Sequence, residues 1–476
     1  MHDDTFLQVS ADKFVTRAGT PVKLHGVGLG GWLNMENFIV GFPATEALNR
    51  RAIAQVLGDE LGQYFFDRFA DSFFTPADAA EIASMGFNVV RIPVHYRHFE
   101  DDARPFELKE DGFARLDSAV QACAANGLYT IIDLHVLPGL QNNEWHCDNP
   151  THHPGFWGHP HFEDRTISIW RELAARYRDN PWVAGYEPIN EPGDPGGEHV
   201  ARFFPQLLAA IRDVDPAHIL FLKGNAFGPE FGFYRDPLPN TVFIAFDYAV
   251  PGAAGGGPYP GETRGTHYDA EVLEQVFLAL TEQSRSTGTP LWVAEFGPVY
   301  SGVDAVDESR YRVLEDQLEI YRRHGANWSI WTWKDINVQG VVYTDPESPY
   351  IRRIRPVLEK KARLATDAWG HTDDQIQDVM APLAARFSQE FPAHDNPVWW
   401  LNRLVRHILL AEPMVPEYAE RFRGLSRADI DDIMSSFELA NCIRRQRLAD
   451  TMRAAIAADT SQPAMPQTQS EGAERS

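Results

Sequence analysis

Residues 182–192 read "WVAGYEPINEP", an apolar run that ends abruptly in polar residues. A short apolar run of this kind is typical of a strand that is buried on both faces of a parallel sheet. The polar residues Asn190 and Glu191 follow where such a strand would end. The stretch therefore predicts a buried strand that delivers a carboxylate to one edge of a sheet.

Seven other short apolar stretches have the same character, at residues 23–29, 87–94, 128–135, 218–224, 241–248, 290–297 and 327–333. The segments between them are helical in pattern. Residues 112–127, for example, carry apolar residues at three- and four-residue spacing and end in a glycine. Strand and helix that alternate eight times predict an α/β fold, namely a (β/α)8 TIM barrel.

The chain is predicted to divide into three parts. Residues 1–365 form the catalytic barrel, with an N-terminal β-hairpin that plugs its bottom. Residues 366–458 show helical patterns only, and we interpret them as an annex packed on the barrel. Residues 459–476 lack apolar periodicity and are expected to be a disordered tail. The sequence leaves open whether the annex covers one side of the barrel, shapes the pocket or mediates dimerisation.

The composition narrows the classes of partner. The net charge of −24 over 476 residues argues against nucleic acid and anionic membrane, because both are bound through basic surfaces. The three cysteines are scattered and do not form a disulfide framework. The N-terminus has neither the basic nor the apolar region of a secretory signal, so a cytoplasmic location is expected. The oligomeric state is left open.

Polar residues at the strand ends are the candidates for chemistry, because TIM-barrel active sites lie there. They are Arg91, Asp133, His135, Asn190, Glu191, Asp247, Tyr248, Glu295, Trp331, Trp333, Lys334 and Asp335. Glu191 and Glu295, at the tips of strands 4 and 7, match the pair of carboxyl groups that glycoside hydrolysis requires. One protonates the leaving oxygen, and the other attacks or stabilises the sugar carbon. A separation of about 5–5.5 Å would mean retention of configuration.

The two glutamates need different pKa values for these two roles. We expect Arg91 to lie near Glu295 and to keep that carboxylate ionised. Glu191, beside Asn190 and apolar neighbours, is expected to hold its proton at neutral pH.

The sequence resembles a retaining glycoside hydrolase of family 5, and more narrowly its exo-β-1,3-glucanase and β-glucosidase-like branch. The stretches that carry the resemblance are "LGGWLNMENF" (29–38), "GFNVVRIPV" (86–94), "IIDLHVLPGLQN" (131–142), "YEPINEP" (186–192), "AEFG" (294–297) and "IWTWKD" (330–335). The resemblance implies that Glu191 is the acid/base and Glu295 the nucleophile. It also implies a set of residues that bind substrate or hold the nucleophile: Glu36, Arg91, His135, Asn142, Asn190, Tyr248 and Trp333. Within that set, Trp333 would form the floor of the sugar subsite. No metal and no cofactor is expected.

One departure from the family pattern affects the sugar subsite. The family usually carries His-x-Tyr at the end of strand 6, and this chain has Phe246-Asp247-Tyr248. A donor that is lost from a buried polar site changes which hydroxyl is recognised or brings in a substitute. His267, in the following loop, is the candidate substitute.

The loop after strand 3, "HCDNPTHHPGFWGHPHF" at 146–162, is rich in histidine. A zinc site would need three or four ligands at defined spacing, and the spacing here fits poorly. A second interpretation is the wall of a sugar subsite, in which Trp145, Phe156 and Trp157 stack and the histidines bind hydroxyls. Simple loop packing is the third. The second is favoured, although each single histidine is better explained as structural.

The predicted function is an exo-acting retaining β-glycosidase, in first place a β-glucosidase, with a carbohydrate as its partner. The alternatives are an endo-β-glucanase and a carbohydrate-binding barrel without turnover. A metal-dependent hydrolase centred on the histidine loop is a further alternative.

Overall fold

Eight parallel strands close into a barrel, so the TIM-barrel prediction is confirmed. The computed structural model describes residues 5–151, 153–234, 238–248, 257–263, 265–367, 369, 372–393 and 400–460. Barrel strands 1 to 8 are His25–Gly28, Val89–His95, Tyr129–Val136, Val183–Glu187, Ile219–Leu222, Thr241–Asp247, Trp292–Phe296 and Asn327–Ile330. Each lies within one of the eight predicted stretches, apart from single-residue extensions of strands 2 and 3.

The apolar runs are continuous because every strand faces two different cores. In strand 2, Val89 points into the barrel interior, while Val90 packs against the surrounding helices. Ile131 and Ile132 of strand 3 divide in the same way. Successive side chains of a strand point to opposite faces, so both positions must be apolar when both faces are buried.

Helices surround the barrel. After strand 1 come Asn37–Val40, Glu46–Leu57, Asp59–Phe73 and Pro76–Ser84, and after later strands come Glu110–Ala125, Pro160–Tyr177, Glu198–Arg212, Ala270–Leu280, Glu282–Thr287, Asp304–Arg323 and Pro349–Leu364. The longer helices bury one face each; Glu198–Arg212, for example, buries Val200, Phe203, Leu207 and Ile211 at three- and four-residue spacing. Among the described residues 223–234 and 238–240, no helix follows strand 5. None of the described helices is long and apolar enough to cross a bilayer.

The bottom of the barrel is closed by the N-terminal strands. The expected hairpin has a third short strand, so that Leu7–Ser10, Lys13–Thr16 and Pro21–Val22 form an antiparallel sheet. Phe14 of this sheet is buried against Phe221 and Trp292, with ring centroids 6.1 and 6.5 Å away. The contacts of Phe14 complete the bottom of the hydrophobic core that the barrel strands enclose.

The C-terminal region packs on the helices that follow strand 1. Its elements are the helices Gln377–Glu390, Val415–Glu420, Arg427–Met434 and Gln446–Thr460, a π-helical segment Asn402–Leu409, and the strand Cys442–Arg444. Phe65 packs on Phe422 at 4.8 Å, and the Tyr64 hydroxyl donates to Asp431 at 2.7 Å. These contacts extend the hydrophobic core of the barrel into the annex.

Two details of this region differ from the sequence-based expectation. The strand Cys442–Arg444 pairs antiparallel with Val342–Thr344, where helices alone were expected. A three-residue strand is too short to show alternation. The last helix runs to Thr460 and so includes the first two residues of the predicted disordered tail; residues 461–476 lie outside the described part of the chain.

Replacement of Phe14 by alanine tests the bottom plug. The change leaves a cavity between Phe221 and Trp292, so we expect the free energy of unfolding to fall by about 3–5 kcal/mol. Denaturant unfolding followed by tryptophan fluorescence measures it. Phe106→Ala, at a half-exposed phenylalanine, is the control and should change stability by about 0.5 kcal/mol or less. Equal stability of the two variants would show that the plug contributes nothing.

Candidate active site

A cavity of about 280 Å³ lies at the carboxyl ends of the barrel strands and contains both glutamates. Its lining residues are Glu36, Phe38, His135, Glu144, Trp145, His146, Glu191, Phe227, Tyr248, Glu295, Trp331, Trp369 and Arg403. A larger cavity of about 1030 Å³ lies on the outer side of the barrel, beside the helix Glu198–Arg212. Its walls are mostly apolar and it holds neither Glu191 nor Glu295, so the smaller cavity is the candidate active site.

Glu295, at the end of strand 7, is held at both carboxylate oxygens. Arg91 Nη1 donates to its Oε1 at 2.6 Å, and the Tyr248 hydroxyl donates to its Oε2. Burial raises the pKa of the Glu295 carboxyl, and the Arg91 guanidinium opposes that shift. Both donors favour the charged carboxylate and fix its orientation. The structure thus brings Arg91 and Tyr248 to the positions that the resemblance implied.

Glu191 follows strand 4 in a left-handed backbone conformation, with φ +41°. Residues other than glycine are rarely found there, and the turn carries the side chain into the cavity. His146 Nε2 lies 2.8 Å from Glu191 Oε2. Burial raises the pKa of Glu191, but His146 outweighs burial, and the pKa lies below its ordinary value. The expectation that Glu191 holds its proton at neutral pH is therefore wrong.

His135 lines the cavity as a neutral imidazole. Its Nδ1 lies 2.6 Å from Asp133 Oδ2, and its ring is parallel to Trp331, with centroids 6.1 Å apart. Burial is the main reason why its pKa falls to about 3. Asn190 is fully buried between Arg91 Nη2, at 3.1 Å, and His135 Nε2, at 3.3 Å. Asn190 thus lies behind the cavity wall and not in its lining.

Glu36 presents an unsatisfied oxygen in this cavity. The residue is almost fully buried, and its Oε1 has no hydrogen-bond partner among the described residues. Burial is the main cause that raises its pKa to about 8, so the carboxyl is largely protonated at neutral pH. A protonated carboxyl both donates and accepts hydrogen bonds, which suits the hydroxyl group of a sugar.

Trp333 does not form the floor of the cavity, contrary to the sequence-based expectation. It is fully buried, and its Nε1 donates to Asp78 at 2.9 Å. Trp331 lines the cavity instead. Strand 8 ends at Ile330, so the alternation of a strand no longer decides where the two tryptophans point.

Asn142 is likewise absent from the cavity lining. Its Nδ2 donates to the Glu191 carbonyl oxygen at 3.0 Å, and its Oδ1 accepts from the Glu144 amide at 3.0 Å. The same Nδ2 lies 3.2 Å from His146 Nε2. Asn142 thus lies under the loop that follows strand 3, and its hydrogen bonds hold both that loop and the turn at Glu191.

The histidine-rich loop divides between cavity wall and packing. Trp145 and His146 line the cavity, whereas Phe156 and Trp157 are buried outside its lining. His153 is exposed, and His152 lies outside the described residues. Among the described residues, no group of three or more His, Cys, Asp or Glu side chains is arranged to hold a metal ion.

Lys223 occupies the space beside Phe246, where the family pattern has histidine. This lysine follows strand 5 and is almost fully buried, with its Nζ 3.1 Å from the centre of the Phe246 ring. Burial is the main cause that lowers its pKa to about 8. His267, the expected substitute, is half exposed and lies 3.4 Å from Glu262 and from Asp269. That expectation is wrong, since His267 is absent from the cavity lining.

Sequence reasoning left the role of the annex open and missed the two annex residues that reach the cavity. Trp369 and Arg403 both line the cavity. Trp369 packs edge-on against Tyr248 with centroids 4.6 Å apart, and its Nε1 donates to Gln339. Arg403 donates to Glu144, in the loop after strand 3. Neither residue lies in a motif, and nothing in the sequence indicates which part of a helical segment reaches the barrel mouth.

Comparison with known proteins identifies the family to which this chain belongs. The family model "Cellulase (glycosyl hydrolase family 5)" matches residues 66–337. A protein named beta-xylosidase from Phanerodontia chrysosporium is 44% identical, over 93% of this chain and 96% of the relative. A probable glucan 1,3-beta-glucosidase A from Aspergillus niger is 32% identical, over 67% of this chain and 84% of the relative.

Solved structures agree on the fold. Endoglucanase Cel5A of Thermotoga maritima is similar with a TM-score of 0.50 and 19% identity, over 71% of this chain and 96% of that chain. The family match and the 44% identical relative confirm the resemblance that the motifs indicated. The chain is a glycoside hydrolase and belongs to glycosyl hydrolase family 5.

Proposed function

We propose that this enzyme is an exo-acting retaining β-glycosidase that removes one sugar from the non-reducing end of small glycosides or oligosaccharides. The observation that carries the proposal is the placement of Glu191 and Glu295 in one small cavity at the strand ends. Glu295, fixed by Arg91 and Tyr248, is the nucleophile, and Glu191 is the acid/base.

The reaction proceeds by double displacement. Glu295 attacks the anomeric carbon while a proton from Glu191 reaches the glycosidic oxygen, and the aglycone leaves. Glu191 then takes a proton from a water molecule, whose oxygen displaces Glu295 from the same carbon. Trp331 and the neutral His135, which line the cavity, supply an aromatic face and a hydrogen-bonding group for the sugar.

Closure of the cavity supports an exo mode of action over an endo mode. A volume of about 280 Å³ falls just below the range of about 300–1,000 Å³ for pockets that take drug-sized ligands. Trp369 and Arg403 from the annex add walls to the barrel mouth. The unsatisfied carboxyl of Glu36 offers a partner for a terminal hydroxyl. A cavity of this kind fits a chain end better than the interior of a polymer.

Two sugars are proposed for the terminal position, glucose first and xylose second. Both pyranoses carry the same three ring hydroxyls, and xylose lacks only the hydroxymethyl group. The relative named glucan 1,3-beta-glucosidase supports glucose, and the 44% identical relative named beta-xylosidase supports xylose.

A screen of p-nitrophenyl β-glycosides tests the choice of sugar. We expect release of p-nitrophenol from the glucoside or the xyloside and much less from the mannoside and galactoside, since those change the orientation of a ring hydroxyl. Comparison of kcat/KM across the four substrates ranks them. Rapid cleavage inside a polymeric glucan, with aryl glycosides untouched, would support the endo-β-glucanase instead.

Removal of the two carboxylates tests the catalytic pair. Glu191→Gln should lower kcat by roughly 10²–10⁴-fold for an aglycone that needs protonation, and Glu295→Gln should abolish turnover. Glu191→Ala should regain activity on substrates with a 2,4-dinitrophenyl leaving group, which departs without a proton. Glu107→Gln, at an exposed glutamate, is the matched control. Near-normal turnover by Glu295→Gln would rule out its assignment as nucleophile.

Replacement of Trp369 tests whether the annex shapes the pocket. Trp369→Ala removes an aromatic contact worth about 1 kcal/mol, so kcat/KM on a small β-glycoside should fall roughly fivefold. Trp369→Phe retains an aromatic ring and should lose less. The measurement is kcat/KM on the aryl glycoside, together with the product profile on an oligosaccharide. An alanine variant with unchanged values would exclude a role for Trp369 in substrate selection.

A further inference from the structure

Among the described residues of the histidine-rich loop, His146 is the histidine that contacts the proposed acid/base. Its Nε2 lies 2.8 Å from Glu191 Oε2, and both side chains are only about one-sixth exposed. Its ring is nearly perpendicular to His135, with centroids 5.8 Å apart. An imidazole nitrogen at this distance from a carboxylate, shielded from water, forms a charge-assisted hydrogen bond.

The charged surroundings favour a proton on this imidazole. Titratable groups surround the pair on strand 3 and its loop, on strands 1, 2, 5, 6 and 7 or the loops that follow them, and on the annex: Glu36, Arg91, Asp133, His135, Glu144, Lys223, Tyr248, Glu295 and Arg403. Burial alone would lower the pKa of His146, but Glu191, Glu36 and Glu295 together raise it. Glu191 shows the reciprocal effect, a lowered pKa caused by His146.

We propose that His146 and Glu191 share the single proton that glycosidic cleavage consumes, with His146 as the resting site of that proton. This inference rests on the proposed role of Glu191 as acid/base. His146 is a positioning residue in this scheme, because it acts on the substrate only through Glu191.

The pair carries the same number of protons before and after one turnover. It leaves His146 Nε2, is taken up by the Glu191 carboxylate and passes to the glycosidic oxygen, whose bond to the anomeric carbon breaks as Glu295 bonds to that carbon. In the second half-reaction Glu191 takes a proton from water, the water oxygen bonds to the anomeric carbon, and the bond to Glu295 breaks. The proton then returns to His146, and the net change is the addition of one water molecule.

A shared proton changes the pH profile in a direction that follows from the coupled equilibrium. The pair loses its last proton with an apparent pKa that belongs to both sites. Because the proton has two places to reside, this pKa is higher than that of Glu191 beside an uncharged neighbour. Replacement of His146 by a neutral side chain removes one of the two places. The basic limb of kcat/KM must then move to lower pH.

The experiment compares His146→Gln with the wild-type enzyme across a range of pH. Glutamine places an amide nitrogen near the position of Nε2 and carries no titratable proton. A phenyl or alkyl β-glycoside needs a proton on its leaving oxygen. With such a substrate we expect the basic limb of kcat/KM to move down by about 1 pH unit or more, because two sites that titrate as a pair interact by at least that much. With a 2,4-dinitrophenyl glycoside the limb should not move.

His153→Gln is the matched control, because His153 is an exposed histidine of the same loop and lies outside the cavity lining. Its profile should coincide with that of the wild type. An unchanged basic limb in an active His146→Gln enzyme overturns the shared proton but leaves the glycosidase function intact. A wild-type enzyme that cleaves no glycoside overturns the proposed function itself.

A second measurement does not depend on activity. Histidine side-chain NMR of the full-length protein, with the His146 signal assigned by its loss in His146→Gln, gives the pKa of His146. We expect a value above that of an ordinary histidine, and a clear fall in Glu191→Gln, where the carboxylate charge is gone but the shape is kept. A His146 pKa that is the same in both proteins contradicts the proposal.

Discussion

The buried guanidinium of Arg91 organises the top of the barrel. From strand 2 it contacts Asp133 of strand 3 at 2.9 Å, Glu187 of strand 4 at 2.6 Å and Glu295 of strand 7 at 2.6 Å. Water is excluded, so each charge depends on its partners: the loss of one partner of a buried pair costs about 3–5 kcal/mol. Burial also raises the pKa values of Asp133 and Glu187 to about 7. Asp133 and Glu187 are therefore partly protonated near neutral pH, and the permanent charge of Arg91 fixes where the negative charge lies.

This constraint separates the surroundings of Glu191 and Glu295, the two carboxyl groups proposed as catalytic. Glu295 faces the permanent charge of Arg91 together with the Tyr248 hydroxyl, while Glu191 faces the imidazole of His146, whose pKa the surrounding carboxylates raise. A pair of carboxyl groups can divide the roles of nucleophile and acid only when their environments differ. Here the difference lies in the partner of each carboxyl group, because both are buried at the same edge of the barrel.

The sequence predicted the residues that strand geometry controls, and the family resemblance added Glu36, which lines the cavity although it follows strand 1 by eight residues. The eight strands, Arg91, Tyr248 and Glu295 were found because each of these residues lies in a strand or directly after one, where the direction of the chain fixes the side chain; Glu191 follows the end of strand 4 by four residues. Trp333 was misplaced because the chain leaves strand 8 at Ile330. His146 was one of several histidines in a loop, and only its folded position distinguishes it from His153. Trp369 and Arg403 reach the cavity through tertiary packing, which leaves no periodic signal in the sequence.

The annex spans the barrel from one end to the other. Arg403 reaches the mouth, while Asp459, in the last helix, contacts His25 at the start of strand 1, where Nε2 and Oδ2 are 2.7 Å apart. The C-terminal stretch that adds walls to the cavity mouth is therefore also anchored to the first strand at the opposite end, and it ties the two ends of the barrel together.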